Sequence, residues 1–221
     1  MYNVVTAGRG QQVAFVKFEE MLERTAMIVK NNPGEKLVVA YWPGYDQIAH
    51  EAGLASPAAL DHARLVASGL AGFIERITPS NPDTRIIITA DHGFIDVAPG
   101  DLIQLDAHPG LKETLALPLC GEPRATFCFV RPSKVSQFEG YVERHLSHAC
   151  TAVPIKDVLA EELFGKFEHH PRFFDRVGDY ILFMKGTHVI KDLLLGEARS
   201  RLIGYHGGTS EDEMLVPLFI A

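Results

Sequence analysis

The run Arg85-Ile86-Ile87-Ile88-Thr89-Ala90 restricts the fold most, because β-branched residues without polar alternation predict a strand covered on both faces. Upstream of it, Ser56-Pro57 supplies an N-cap and a first-turn proline, and Leu60, Ala63, Ala67, Leu70, Ala71, Ile74 and Ile77 mark an apolar helical stripe that ends near Thr78-Pro79. Earlier still, Leu37-Val38-Val39-Ala40-Tyr41 reads as a short buried strand broken by Pro43-Gly44. Strand, helix, strand in this order predicts an α/β fold with a mostly parallel central sheet flanked by helices. A first helix, with apolar positions Phe15, Phe18, Leu22, Ile28 and Val29, precedes it and stops at Asn31-Asn32-Pro33-Gly34.

From Pro99 to Arg201 the pattern is less regular. It contains a strand at Ala125–Val130, a helix from about Ser133 to Leu146 and a strand around Asp179–Met184. We read residues 1–98 as the sheet core, 99–200 as an insertion or sheet extension of the same domain, and 201–221 as a return segment closing on the apolar Leu215–Ile220. At 221 residues and 47% apolar side chains, the chain can bury a substantial core. Its formal charge of −7 argues against a nucleic-acid polymer as partner. It has no apolar run of about 18 residues and no signal-peptide pattern at the start, so the expectation is a soluble, cytoplasmic protein without membrane contact. Cys120, Cys128 and Cys150 lack C-x-x-C spacing and are expected to be thiols.

Three clusters place Asp or His after a predicted strand or beside glycines, where open α/β sheets hold ligands. In Asp46-Gln47-Ile48-Ala49-His50, a helix starting after Pro43-Gly44 would put Asp46 and His50 on one face about 6 Å apart. That pair can grip a cation, or it can be a solvated helix face. Asp91-His92-Gly93 follows the β-branched strand directly, as a ligand pair or as a turn cap. His206 lies between Gly204-Tyr205 and Gly207-Gly208, in a loop open enough to approach a metal or merely glycine-rich. The oxygen and nitrogen donors suit zinc, and manganese accepts the same set.

The order Tyr41-x-x-x-x-Asp46-x-x-x-His50-x-x-Gly53, then Thr89-x-Asp91-His92-Gly93, then His206-Gly207-Gly208 before Val216-Pro217-Leu218, resembles the type I phosphodiesterase/nucleotide pyrophosphatase family of the alkaline phosphatase superfamily. The resemblance implies an alkaline phosphatase-like fold and two divalent metal ions. It assigns Asp46, His50 and His206 to one metal, and Asp91 and His92 to the second. It also implies a small phosphate ester as substrate, a phosphodiester or nucleotide pyrophosphate, attacked in line by a Thr or Ser nucleophile through a covalent intermediate. A phosphomonoesterase, sulfatase, phosphonate hydrolase or phosphomutase of the same superfamily is the enzymatic alternative, and an inert metal-binding or interaction domain the non-enzymatic one.

The sequence departs from the family at Tyr45 and Ala49, where proline and glycine are common, and the nucleophile segment is not found. Only 45 residues precede Asp46, and their hydroxyl candidates are Thr6, without a preceding strand that ends in aspartate, and Thr25, inside an amphipathic helix. The simplest account is that the chain is the C-terminal part of a longer protein, with little hydrolytic activity by itself. His62, His108, His145, His148, His169, His170 and His188 are read as surface or structural residues. Asp96 is expected in a turn, and Glu211-Asp212-Glu213 in solvent or steering the loop that carries His206.

Overall fold

The computed structural model describes residues 10–31, 34–194, 196 and 202–221. Its strands are β1 (Ile87–Thr89), β2 (Ile95–Asp96), β3 (Leu102–Gln104), β4 (Cys120–Glu122), β5 (Ala125–Cys128), β6 (Cys150–Pro154), β7 (Tyr180–Met184), β8 (Val189–Lys191), β9 (Gly204–Tyr205) and β10 (Leu218–Ile220). They belong to two units: residues to Ile48, Ala55–Ile88 and Leu218–Ala221 form the first, and Ala49–Leu54 with Thr89–Pro217 the second.

Two described helices pack together in the first unit. Phe18–Asn31 places Phe18, Met21, Leu22 and Ala26 on one face at helical spacing, and these pack with Phe73 and Ile77 of the helix Pro57–Ile77. The second helix starts as its sequence predicts: Ser56 Oγ accepts from Ala59 N at 3.1 Å and Pro57 occupies the first turn. Its buried stripe is rotated from the predicted one. Ala59 is buried, as are Phe73 and Ile77, whose cluster Val66 and Leu70 pack against, while Leu60 is exposed. The partner helix Phe18–Asn31, packed on Phe73 and Ile77, decides which of two adjacent apolar stripes is covered. Thr25 donates to Met21 O at 2.8 Å within its own helix, the packing role expected of it, and Thr6 lies outside the described residues.

Two strand expectations need correction. Leu37–Tyr41 carries no strand, with Leu37 and Val39 exposed, and β1 is short with Ile87 also exposed. An apolar run fixes β propensity, but burial on both faces needs covering layers that only neighbouring elements provide. β1 pairs β10, and Ile86 and Ala221 exchange both main-chain hydrogen bonds at 2.8 and 2.9 Å, the pattern of an antiparallel pair.

In the second unit, the order β4-β5-β7-β6 forms an antiparallel sheet, with Cys128 opposite Tyr180 and Cys150 opposite Met184. Phe138 and Val142 of the helix Val135–His145 join Leu105, Leu111, Cys128, Leu182 and Ile190 in its core. β3 and β8 pair in parallel, and β2 pairs β9 antiparallel with Ile95 opposite Tyr205. The described pairings are thus antiparallel except for β3–β8, although the α/β class is as expected. All three cysteines are free thiols. Burial pushes the Cys150 thiol up to about 11 and Cys128 higher still. No described helix is long and apolar enough to cross a membrane.

Candidate metal centre

Gly44–Ala52 folds as the helix that Pro43-Gly44 predicts, with Asp46 in its first turn and His50 in its last. The helix runs continuously through the boundary of the two units, so covalent structure alone holds Asp46 one turn before His50. Gly53, at φ +84°, ends the helix in the left-handed region, donating to Ala49 O at 2.9 Å. Asp96 holds the next residue: its carboxylate oxygens accept from Leu54 N at 2.8 and 3.1 Å. Asp96 is therefore a β2 residue that fixes the exit of the helix, and the turn expected of it is corrected.

The β2–β9 pair joins the other two motifs. Asp91-His92-Gly93 leads into β2, and His206 follows β9 directly. At Gly93 an added Cβ would lie 1.9 Å from Asp212 O, so only glycine lets the strand end approach that backbone. At Gly204, on β9, an added Cβ would lie 2.4 Å from Ala49 O at the helix end, and the Gly204 carbonyl oxygen lies 2.8 Å from His50 Nδ1.

The imidazoles converge. His92 and His206 stack with centroids 3.7 Å apart, and His50 lies 5.0 Å from His206. Phe94, absent from the sequence reading, packs on all three, at 5.0 Å from His50 and His206 and 5.3 Å from His92. Its place two residues after His92 was the available signal, since it makes an apolar floor that keeps the rings from turning away. Asp91 Oδ1 lies 3.8 Å from His92 Nε2 on the more exposed side.

The donor chemistry fits a divalent cation. A carbonyl oxygen only accepts, so His50 Nδ1, against Gly204 O, carries its hydrogen, and His92 Nδ1 carries one toward Gly93 O at 3.0 Å. In both rings Nε2 then keeps the lone pair a metal needs, the arrangement by which carbonyls commonly orient histidine ligands.

Glu213 corrects the expected solvated acidic trio. It is buried, because its carboxylate meets the Arg124 guanidinium through Nε–Oε1 at 2.9 Å and Nη2–Oε2 at 2.7 Å. Burial pushes its carboxyl up, but hydrogen bonds from Arg124, Ser210 and Gly208 N outweigh this and hold it below the ordinary carboxylate value. The remaining histidines have other surroundings. His62 accepts from Trp42 Nε1 at 2.9 Å, His108 Nδ1 lies 3.1 Å from the Tyr141 hydroxyl, and His148 packs edge-on to His188.

The fold is that of the alkaline phosphatase-like hydrolases. It is similar to human ectonucleotide pyrophosphatase / phosphodiesterase 5 with a TM-score of 0.72 at 19% identity, over 96% of this chain and 54% of that one. The murine protein gives 0.70 at 18%, over 93% and 52%. Phosphonoacetate hydrolase from Sinorhizobium meliloti, solved with phosphonoformate, gives 0.54 at 15%, over 79% and 43%. The chain thus spans about half the length of the solved structures it matches. No curated protein matches it significantly. The profile of the type I phosphodiesterase / nucleotide pyrophosphatase family matches residues 4–192, and the chain belongs to that family.

Proposed function

We propose that this chain supplies most of a two-metal site with which the complete protein hydrolyses phosphodiesters or nucleotide pyrophosphates. The observation that carries the reading is the convergence of the His50, His92 and His206 imidazoles, with centroids 5.0 Å apart for His50 and His206 and 3.7 Å for His92 and His206, from three motifs spread along the chain. Asp46, His50 and His206 would hold one cation and Asp91 and His92 its neighbour, zinc or manganese. Bound metal would polarise the phosphoryl group and stabilise charge on the attacking and leaving oxygens. The chain's own residues present imidazole Nε2 atoms in fixed tautomers, and Phe94 fills the space behind their rings. A variant of the murine relative was solved in complex with AMP, which favours a nucleotide-sized ester as substrate. The second reading, a phosphonate hydrolase, has the likeness to phosphonoacetate hydrolase behind it. Two buried free thiols suit a reducing compartment, so a cytoplasmic setting is part of the proposal.

The nucleophile belongs, on this reading, to chain beyond these residues. The test is zinc binding by calorimetry to the 221-residue chain and to His206→Ala, alongside hydrolysis of a chromogenic phosphodiester by a longer protein containing it. Expected are zinc binding that His206→Ala weakens at least tenfold, weak turnover by the chain alone, and metal-dependent turnover by the longer form. Equal zinc affinity in both proteins, or metal-independent turnover, would falsify the reading.

A further inference from the structure

Arg124 and Glu213 form an ion pair whose side chains are 0% and 1% exposed. A buried pair adds little net stability over apolar side chains of the same volume. What it offers instead is a set of acceptors fixed in place. Arg124 is held in turn through Nη1, which donates to His188 O at 2.6 Å. Glu213 Oε1 accepts from Gly208 N at 2.8 Å and Oε2 from the Ser210 hydroxyl at 2.6 Å. The main-chain oxygen of the same residue accepts from Gly93 N at 2.8 Å. One residue therefore ties down the backbone next to His92 and, through its side chain, the backbone two positions after His206.

We propose that Glu213, locked by Arg124, is a positioning residue that sets the spacing of the His92 and His206 imidazoles and thereby the metal affinity of the centre. The inference rests on the reading that these two histidines hold metal. The side chain acts through the Gly208 amide, whose loop would otherwise pivot at Gly207. Removing the carboxylate leaves the two histidines present and the β2–β9 ladder intact, but frees the loop that aims one of them.

The test compares the full 221-residue chain with Arg124→Met/Glu213→Met, which removes both charges together and strands neither. Zinc affinity is measured by competition titration, and the geometry by the visible absorption of bound cobalt(II). The expected result is a cooperative melt in the double variant, zinc affinity 10 to 100 times weaker, as for other outer partners of metal ligands, and an altered cobalt spectrum. Wild-type affinity together with an unchanged spectrum overturns the proposal. His206→Ala separates the two levels. If it loses zinc while the double variant keeps it, only the positioning role falls; if the wild-type chain binds no zinc or cobalt, the metal reading falls and takes this proposal with it. Should the double variant not fold, amide hydrogen exchange in the metal-free wild type decides. Protection at both Gly93 and Gly208 supports the proposal, and exchange at the unprotected rate at Gly208 overturns it.

Discussion

Tyr180 shows how a single side chain reports its surroundings. Burial pushes its hydroxyl up from 10.0 to about 12, and the hydrogen bond it donates to Glu139 Oε1 at 2.6 Å adds to the rise. A raised pKa means the folded state favours the neutral phenol. Its contribution is therefore complete below pH 10 and is lost as pH rises through about 12. Tyr180→Phe should cost about 1 kcal/mol at neutral pH, the net worth of one hydrogen bond. Urea melts from pH 8 upward should then show wild type losing stability above pH 10 while the variant declines less. Parallel declines would mean that Tyr180 does not carry this dependence. At the same scale, the motifs that hold Asp46, His50, Asp91, His92 and His206 stand out in the sequence because these residues lie beside predicted strand ends and glycines. The burial of Glu213 and the place of Phe94 do not. An acidic residue among acidic neighbours looks solvated until Arg124, 89 positions away, is placed against it.

Helices were more legible than strands, and the reason is local. A helix satisfies its own backbone, so Ser56-Pro57 and the apolar spacing suffice to place Pro57–Ile77, with only the covered stripe left to its neighbour. Ser56→Ala removes the oxygen that accepts from Ala59 N, and should lower stability by about 1 kcal/mol in thermal or urea melts, with zinc binding unchanged. A loss below about 0.2 kcal/mol would show that Pro57 alone sets the helix start. A strand depends on a partner. Leu37–Tyr41 has the composition of one without its ladder, whereas the two-residue strands β2 and β9, too short for any periodicity, are the pair that brings His92 and His206 together.

For the whole molecule, metal binding and folding are linked, since a cation that binds only the native state adds RT ln(1 + [L]/Kd), about 2.7 kcal/mol at a hundredfold excess over Kd. Zinc or manganese should raise the melting temperature of the wild-type chain, and His206→Ala should show a smaller rise at the same metal concentration. An identical rise in both would place the bound ion elsewhere. The sequence by itself determined the family, the α/β class and the principal helices, and it singled out the residues proposed as metal ligands, because motif chemistry and helix periodicity are written in near neighbours. Only the tertiary structure decided the sheet pairings, the rotated stripe of Pro57–Ile77, the stacking of His92 on His206, and the burial of Glu213 against Arg124. Each of these depends on which distant segments meet, and hydrogen-bond pairing and desolvation act on that meeting rather than on the order of residues along the chain.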